Sequence, residues 1–306
     1  MMRMLAGIAL ALLVVVTTSS AYVRLAQTGL SCPDAPHCYA RVETRAALED
    51  DARVAAARSL HRVAASAAGF VLLAILALGW RGARRDERVA AIALVGLAAA
   101  LAWLGRYTPS DVPAVALGNL LGGMTMLGLA GWLFVSARGS PRATGVSGLR
   151  RWAWLALVLV ALQIAAGGMM AVRHAAFACP TFPDCSGTWW PEAAQWSAFD
   201  PFRPMPAPTD AGERADAARQ AVSLAHRGLG LIVVFVVAAL GLRTARAGWR
   251  RTGAALFALA LVQAALGIGQ VLTGQPLGLA VAHNFVAAGL VLALAAVLRP
   301  RGSATP

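Results

Sequence analysis

The chain has 306 residues, 58% of them hydrophobic and only 13% charged, with a formal net charge of +13. That balance excludes an ordinary soluble domain and a disordered segment, and it fits a chain held largely in a bilayer. A basic chain elsewhere suggests nucleic acid, but here the placement of charge reports topology.

Crossing the hydrocarbon core takes about 20 apolar residues per helix. Eight stretches qualify, at 4–23, 59–80, 89–105, 114–136, 152–172, 222–242, 252–272 and 278–298. The first also resembles a signal peptide, with Met4–Thr18 as the apolar region and Ser19-Ser20-Ala21 as a small-residue zone. The internal repeat described below needs it as a helix. An outer loop over 24–58 follows, containing Cys32-Pro33-Asp34-Ala35-Pro36-His37-Cys38. Helices two to four come next, and then a linker over 137–151 rich in Gly and Ser, a composition that suits a join between units. A second outer loop over 173–221 contains Cys179-Pro180-Thr181-Phe182-Pro183-Asp184-Cys185 and then Trp189-Trp190-Pro191 and Trp196. Those tryptophans also suit an interfacial belt.

All basic residues other than histidine are arginine. With the N-terminus inside, the inner segments carry 15 arginines against two acids, Asp86 and Glu87, and the outer segments carry 12 of each sign. The net charge therefore lies on one face, which the positive-inside rule assigns to the cytoplasm. Anionic membrane lipid is the partner that such a face attracts.

The landmarks repeat. Val23-Arg24 precedes the first Cys loop and Val172-Arg173 the second; His61 to Asn119 spans 58 residues and His226 to His283 spans 57. The expected fold is an all-α membrane protein with both termini cytoplasmic and eight transmembrane helices in two tandem four-helix bundles. Residues 1–136 form the first unit, 137–151 the linker, 152–298 the second unit and 299–306 a cytoplasmic tail. An even number of helices per unit makes the repeat parallel.

Ionisable residues inside spans are costly and mark function by default. His226 and His283 lie at similar depth near the outer ends of their helices, and two imidazoles facing across a bundle core suit bis-His ligation of haem iron. Copper or zinc would need further N, S or carboxylate ligands at that depth, and the sequence offers none. A hydrogen-bonded structural role is the alternative for either histidine alone. Arg227, beside His226, is a candidate partner for a haem propionate, and Arg62 occupies the matching place beside His61. The pairs Cys32–Cys38 and Cys179–Cys185 lie on the outer side, where disulfides persist, and both a structural and a redox role stay open.

At these residues the chain resembles the heme A synthase family, membrane enzymes that oxidise a methyl group of haem O to a formyl group. The resemblance runs over about residues 5–298. It rests on Val23-Arg24-Leu25, Ser31-Cys32-Pro33-Asp34 with Cys38-Tyr39, and Leu120-Leu121-Gly122-Gly123-Met124-Thr125. It also rests on Cys179-Pro180 through Cys185 with Trp189-Trp190-Pro191, on Ala225-His226-Arg227, and on Pro276-Leu277 through Ala282-His283-Asn284. The resemblance implies a haem b on His226 and His283, with haem O oxidised in the N-terminal half at His61. It links Cys32 and Cys38 to haem transfer or redox chemistry. The implied partners are haem O and its synthase, an electron donor and cytochrome oxidase assembly factors, in a bacterial-type inner membrane with periplasmic Cys loops. Nucleic acid is not among them, and a homo-oligomer is compatible.

Two positions depart from the family pattern. Arg58 stands where the family has an acid three residues before the first histidine, on the same helix face. It replaces a proton acceptor with a fixed cation. Asn119 stands where the family has its other N-terminal-half histidine. Two readings follow: an active enzyme with His61 alone on the substrate iron, or a non-catalytic haem-binding relative in haem handling or oxidase assembly. A cytochrome wire across the bilayer is weaker, because both candidate sites lie near one face.

Overall fold

A computed structural model describes residues 1–30, 51–108, 112–137, 147–189, 193–204 and 216–299. In lipid the backbone must satisfy its own hydrogen bonds, so apolar runs of this length become helices. The described residues form eight long ones. They are α1 (Met2–Leu25), α2 (Ala52–Gly79), α3 (Arg85–Leu104), α4 (Pro113–Ser136), α5 (Ser147–Val172), α6 (Ala217–Arg246), α7 (Arg250–Leu272) and α8 (Leu277–Val297). Each is long and apolar enough to cross a membrane. Val63, Phe70, Leu231 and Phe235 remain exposed on the outside, as side chains that meet lipid tails do.

The helices pack in two rings. In one, α1 lies against α2 and α4, and α3 against α2 and α4; in the other, α5 lies against α6 and α8, and α7 against α6 and α8. The rings meet where α4 packs on α8, flanked by α1 on α8 and α4 on α5. Glycine sets the closest crossing. A Cβ on Gly253 of α7 would stand 2.4 Å from the Ala245 nitrogen and 2.5 Å from the Gly241 carbonyl oxygen of α6, so these backbones touch directly.

Four helices start four or more residues earlier than the apolar runs suggest, among them α5, at Ser147 rather than near 152. The α2 helix begins at Ala52 rather than near 59, because the Asp51 side chain accepts the Arg53 N–H at 2.7 Å and caps it. The α6 helix begins at Ala217 rather than near 222, with Asp216 accepting the Arg219 N–H at 2.7 Å. The α3 helix begins at Arg85, where the Glu87 carboxylate accepts the Arg84 N–H at 3.0 Å and pairs with its guanidinium. Around the basic ends, Arg243 lies over Trp152 at 4.5 Å, Arg299 over Trp249 at 4.6 Å and Arg88 over Trp80 at 5.3 Å. These cation–π pairs suit an interface where charge and apolar rings coexist.

Candidate functional site

The helix starts put the landmark residues in register. His61 and His226 are each the tenth residue of their helix, and Asn119 and His283 each the seventh. At 1.5 Å rise per residue, His226 lies about 14 Å along α6 and His283 about 9 Å along α8. The second ring brings these two together: their centroids are 6.4 Å apart, with ring planes at 62°.

Each imidazole is met from the preceding helix by a glutamine and a glycine four residues apart, which share a helix face. On α5, the Gln163 amide nitrogen lies 3.2 Å from Nδ1 and 3.3 Å from Nε2 of His226, and donates to the His226 carbonyl at 3.1 Å. A Cβ on Gly167 would stand 3.2 Å from the same ring's Cε1. On α7, the Gln263 amide nitrogen donates to Nε2 of His283 at 3.0 Å, and a Cβ on Gly267 would stand 3.3 Å from its Cε1. The sequence reading missed both glutamines. Their signal was available, as an uncharged polar residue in an apolar span with glycine one turn later.

Whether these residues suit a bound metal can be judged from their spacing and their unspent polar atoms. A metal ion bonded at about 2.0 Å to one nitrogen of each imidazole would hold the centroids roughly 6.3 Å apart, close to the 6.4 Å seen. His283 Nδ1, Gln163 Oε1 and Gln263 Oε1 are buried without hydrogen-bond partners, a state that native interiors avoid unless the group has a use. Among the described residues, no three His, Cys, Asp or Glu side chains converge. Two imidazoles at this spacing would suit a shared iron better than a tetrahedral ion, for which the described residues offer no third ligand.

In the first ring, His61 Nδ1 lies 3.2 Å from the Val16 carbonyl oxygen of α1. A carbonyl only accepts, so Nδ1 carries the proton and Nε2 keeps its lone pair for a ligand. Asn119 donates from Nδ2 to the Thr108 hydroxyl at 2.8 Å, an attachment to the turn between α3 and α4. Arg58 lies on α2 three residues before His61, and Arg62 is exposed on the same helix.

Arg227 turns away from the histidines and holds the outer loop. Its Nη1 donates to the carbonyls of Thr181 at 2.7 Å, Pro183 at 3.3 Å and Asp184 at 2.5 Å, and its Nη2 to that of Cys179 at 2.7 Å. Cys179 and Cys185 form a disulfide, and Cys185 exchanges two 3.0 Å backbone hydrogen bonds with Thr188. The pair Cys32–Cys38 lies outside the described residues. A second arginine organises the rest of this loop. Arg173, only 1% exposed, donates to the carbonyls of Ala198 at 3.0 Å, Asp200 at 2.6 Å and Arg203 at 2.7 Å. Burial lowers its pKa and Asp200 opposes that. Its own carbonyl accepts from Arg219 Nε at 2.9 Å, and Arg219 in turn pairs with Asp216.

Residues 3–295 match the family model of the COX15-CtaA cytochrome oxidase assembly proteins. The chain is also 30% identical to the heme A synthase of Shewanella oneidensis over 314 aligned positions, which cover 95% of this chain and 93% of that protein. With eight apolar helices and a match over nearly its whole length, this multi-pass membrane protein belongs to the COX15-CtaA family.

Proposed function

We propose that this protein oxidises the methyl group of haem O to a formyl group, supplying haem A for cytochrome oxidase, a reading supported by its similarity to a protein named heme A synthase. The observation that carries this reading is the His226–His283 pair, 6.4 Å apart between helices that the family match spans. In this reading His226 and His283 hold a resident haem b, which supplies a one-electron relay when bound. His61 takes the iron of the substrate haem O through Nε2, its Nδ1 proton held by the Val16 carbonyl. Arg62 is the proposed propionate partner in the first ring. Arg227 is the proposed propionate partner in the second, while it also holds the Cys179–Cys185 loop.

The two rings are read as tandem units, 1–136 and 152–298, because the histidine register repeats on α2 and α6. The arginine distribution supports cytoplasmic termini and periplasmic Cys loops in an inner membrane. The chain's own chemistry in the first ring is spare: a positioned imidazole, with Arg58 where a carboxylate would serve as proton acceptor. Proton removal then falls to water or to a loop acid. In this reading Asn119, tied to Thr108, would supply no second imidazole to the substrate iron and would leave a position there open for turnover.

The second reading, a non-catalytic haem-binding relative, draws on the same two positions, Arg58 and Asn119. Expression with a source of haem O and a reducing partner, followed by analysis of extracted haems, separates the two. Haem A or its hydroxylated precursor supports the enzyme. Recovery of only haem B and unreacted haem O supports the relative.

A further inference from the structure

We propose that Gln163 and Gln263 are positioning residues for two axial imidazoles, each accepting the N–H that a metal-bound imidazole retains. The inference rests on the bis-imidazole reading of His226 and His283 and adds the groups that orient them. An imidazole that gives one nitrogen to a metal carries a proton on the other, and that N–H needs an acceptor. The polar side chain against each ring is a glutamine amide, at 3.2 Å from His226 and 3.0 Å from His283.

Each glutamine also holds an Oε1 that is buried and without a partner. Turning the terminal amide by half a rotation exchanges its nitrogen and oxygen. Gln263 can therefore donate to a bare ring nitrogen or accept from a protonated one without moving its helix, whereas in Gln163 the exchange also gives up the 3.1 Å bond to the His226 carbonyl. A carboxylate could only accept, and would place a costly charge in the span.

Glycine completes each cradle. With Cβ positions at Gly167 and Gly267 falling 3.2 Å and 3.3 Å from Cε1 of the two rings, even a methyl group would require each ring to give by a few tenths of an ångström. Neither α1 nor α3 contains a glutamine, and His61 uses a backbone carbonyl instead. The paired glutamines therefore mark the second ring as the one built to keep its group, while the first makes a single attachment that suits a group which enters and leaves.

The test is redox titration and electron paramagnetic resonance on the purified, haem-loaded full chain. Gln163→Leu and Gln263→Leu remove the acceptor and are expected to raise the haem midpoint potential and shift its low-spin g values. Gln163→Glu and Gln263→Glu keep an acceptor and are expected to leave the midpoint at or below that of the unaltered protein. Unchanged midpoints and g values in the Leu variants, or equal shifts in one direction for Leu and Glu, would overturn the proposal. If the Leu variants carry no haem, the Glu variants decide alone, a raised midpoint counting against it. His226→Ala and His283→Ala report separately on the axial reading: a low-spin signal surviving in both sinks that reading, whatever the glutamines do.

Discussion

The Arg227 guanidinium closes on the Cys179 carbonyl at 2.7 Å and reaches three more carbonyls of the same short loop. One residue earlier, His226 faces the bundle interior and His283. A single turn of α6 thus fixes both the inner imidazole and the outer disulfide loop, and neither can shift without the other being felt. Arg227→Ala should free the loop. Hydrogen bonds from a charged donor contribute about 1.5–3 kcal/mol each when buried, and this half-exposed group should contribute less. The expected result is at least roughly tenfold faster trapping of Cys179 and Cys185 by an alkylating reagent under limiting reductant, a factor equal to about 1.4 kcal/mol. Arg227→Lys should recover little of the protection, since a single ammonium cannot span carbonyls arranged for a planar fork.

His226→Ala and His283→Ala should each abolish the low-spin spectrum of the bound haem, because either change leaves one axial imidazole without its counterpart. Optical spectra of the purified variants check this. His61→Ala should leave that spectrum in place, since His61 attaches to α1 rather than to the second ring.

The α6–α7 crossing predicts a stability effect without any cofactor. Gly253→Ala places a methyl group against the backbone of Ala245 and Gly241, at 2.4 Å and 2.5 Å, where no side-chain rotation can yield. The helices must separate, at a cost of about 1–3 kcal/mol by analogy with overpacked cores. Gly96→Ala in α3 is the control: nothing lies within 4 Å of its Cβ position, so helix propensity should make it neutral or slightly stabilising. Thermal unfolding in detergent should rank Gly253→Ala well below the native chain and Gly96→Ala at or above it.

Arg173 supports another. Its guanidinium is buried and spent on three carbonyls of 198–203. Arg173→Met keeps much of the bulk but orphans those acceptors, at roughly 1–3 kcal/mol for each one that stays buried. The loop from Ala193 onward should become accessible to protease while the helices stay intact, as limited proteolysis with mass spectrometry would show.

The eight spans were legible because lipid requires long apolar runs, and α3, the shortest run, still formed a helix. The early starts of α2 and α6 were not, since their first turns are rich in Ala and Arg and hydropathy registers only what lies in hydrocarbon. The Asp51 and Asp216 caps were the available signal. His226 and His283 could be paired in advance from their repeated spacing. Gln163 and Gln263 are uncharged and stand at unequal distances before their histidines, so neither charge nor the repeat marks them, although a buried amide also needs partners. Arg227 reads as a propionate partner from its place beside His226, and that role stays a proposal. Its hold on residues 179–184 is a contact between distant parts of the chain, which local spacing does not reveal.

The first ring gives the sharpest functional prediction. If His61 holds the substrate iron through Nε2, His61→Ala should abolish conversion of haem O while the second ring keeps its low-spin haem. Arg58→Glu should then restore a proton acceptor one turn from the imidazole. General-base assistance contributes about 10²–10⁴-fold where it acts in the rate-limiting step, so a clear rise in haem A yield is expected if proton removal limits turnover. Asn119→His restores the imidazole of the family pattern and should likewise raise conversion if that side chain takes part in turnover. Both effects are read in one assay, namely extracted haem A relative to haem O. A chain with no conversion in the native form, in Arg58→Glu and in Asn119→His alike would be the non-catalytic relative.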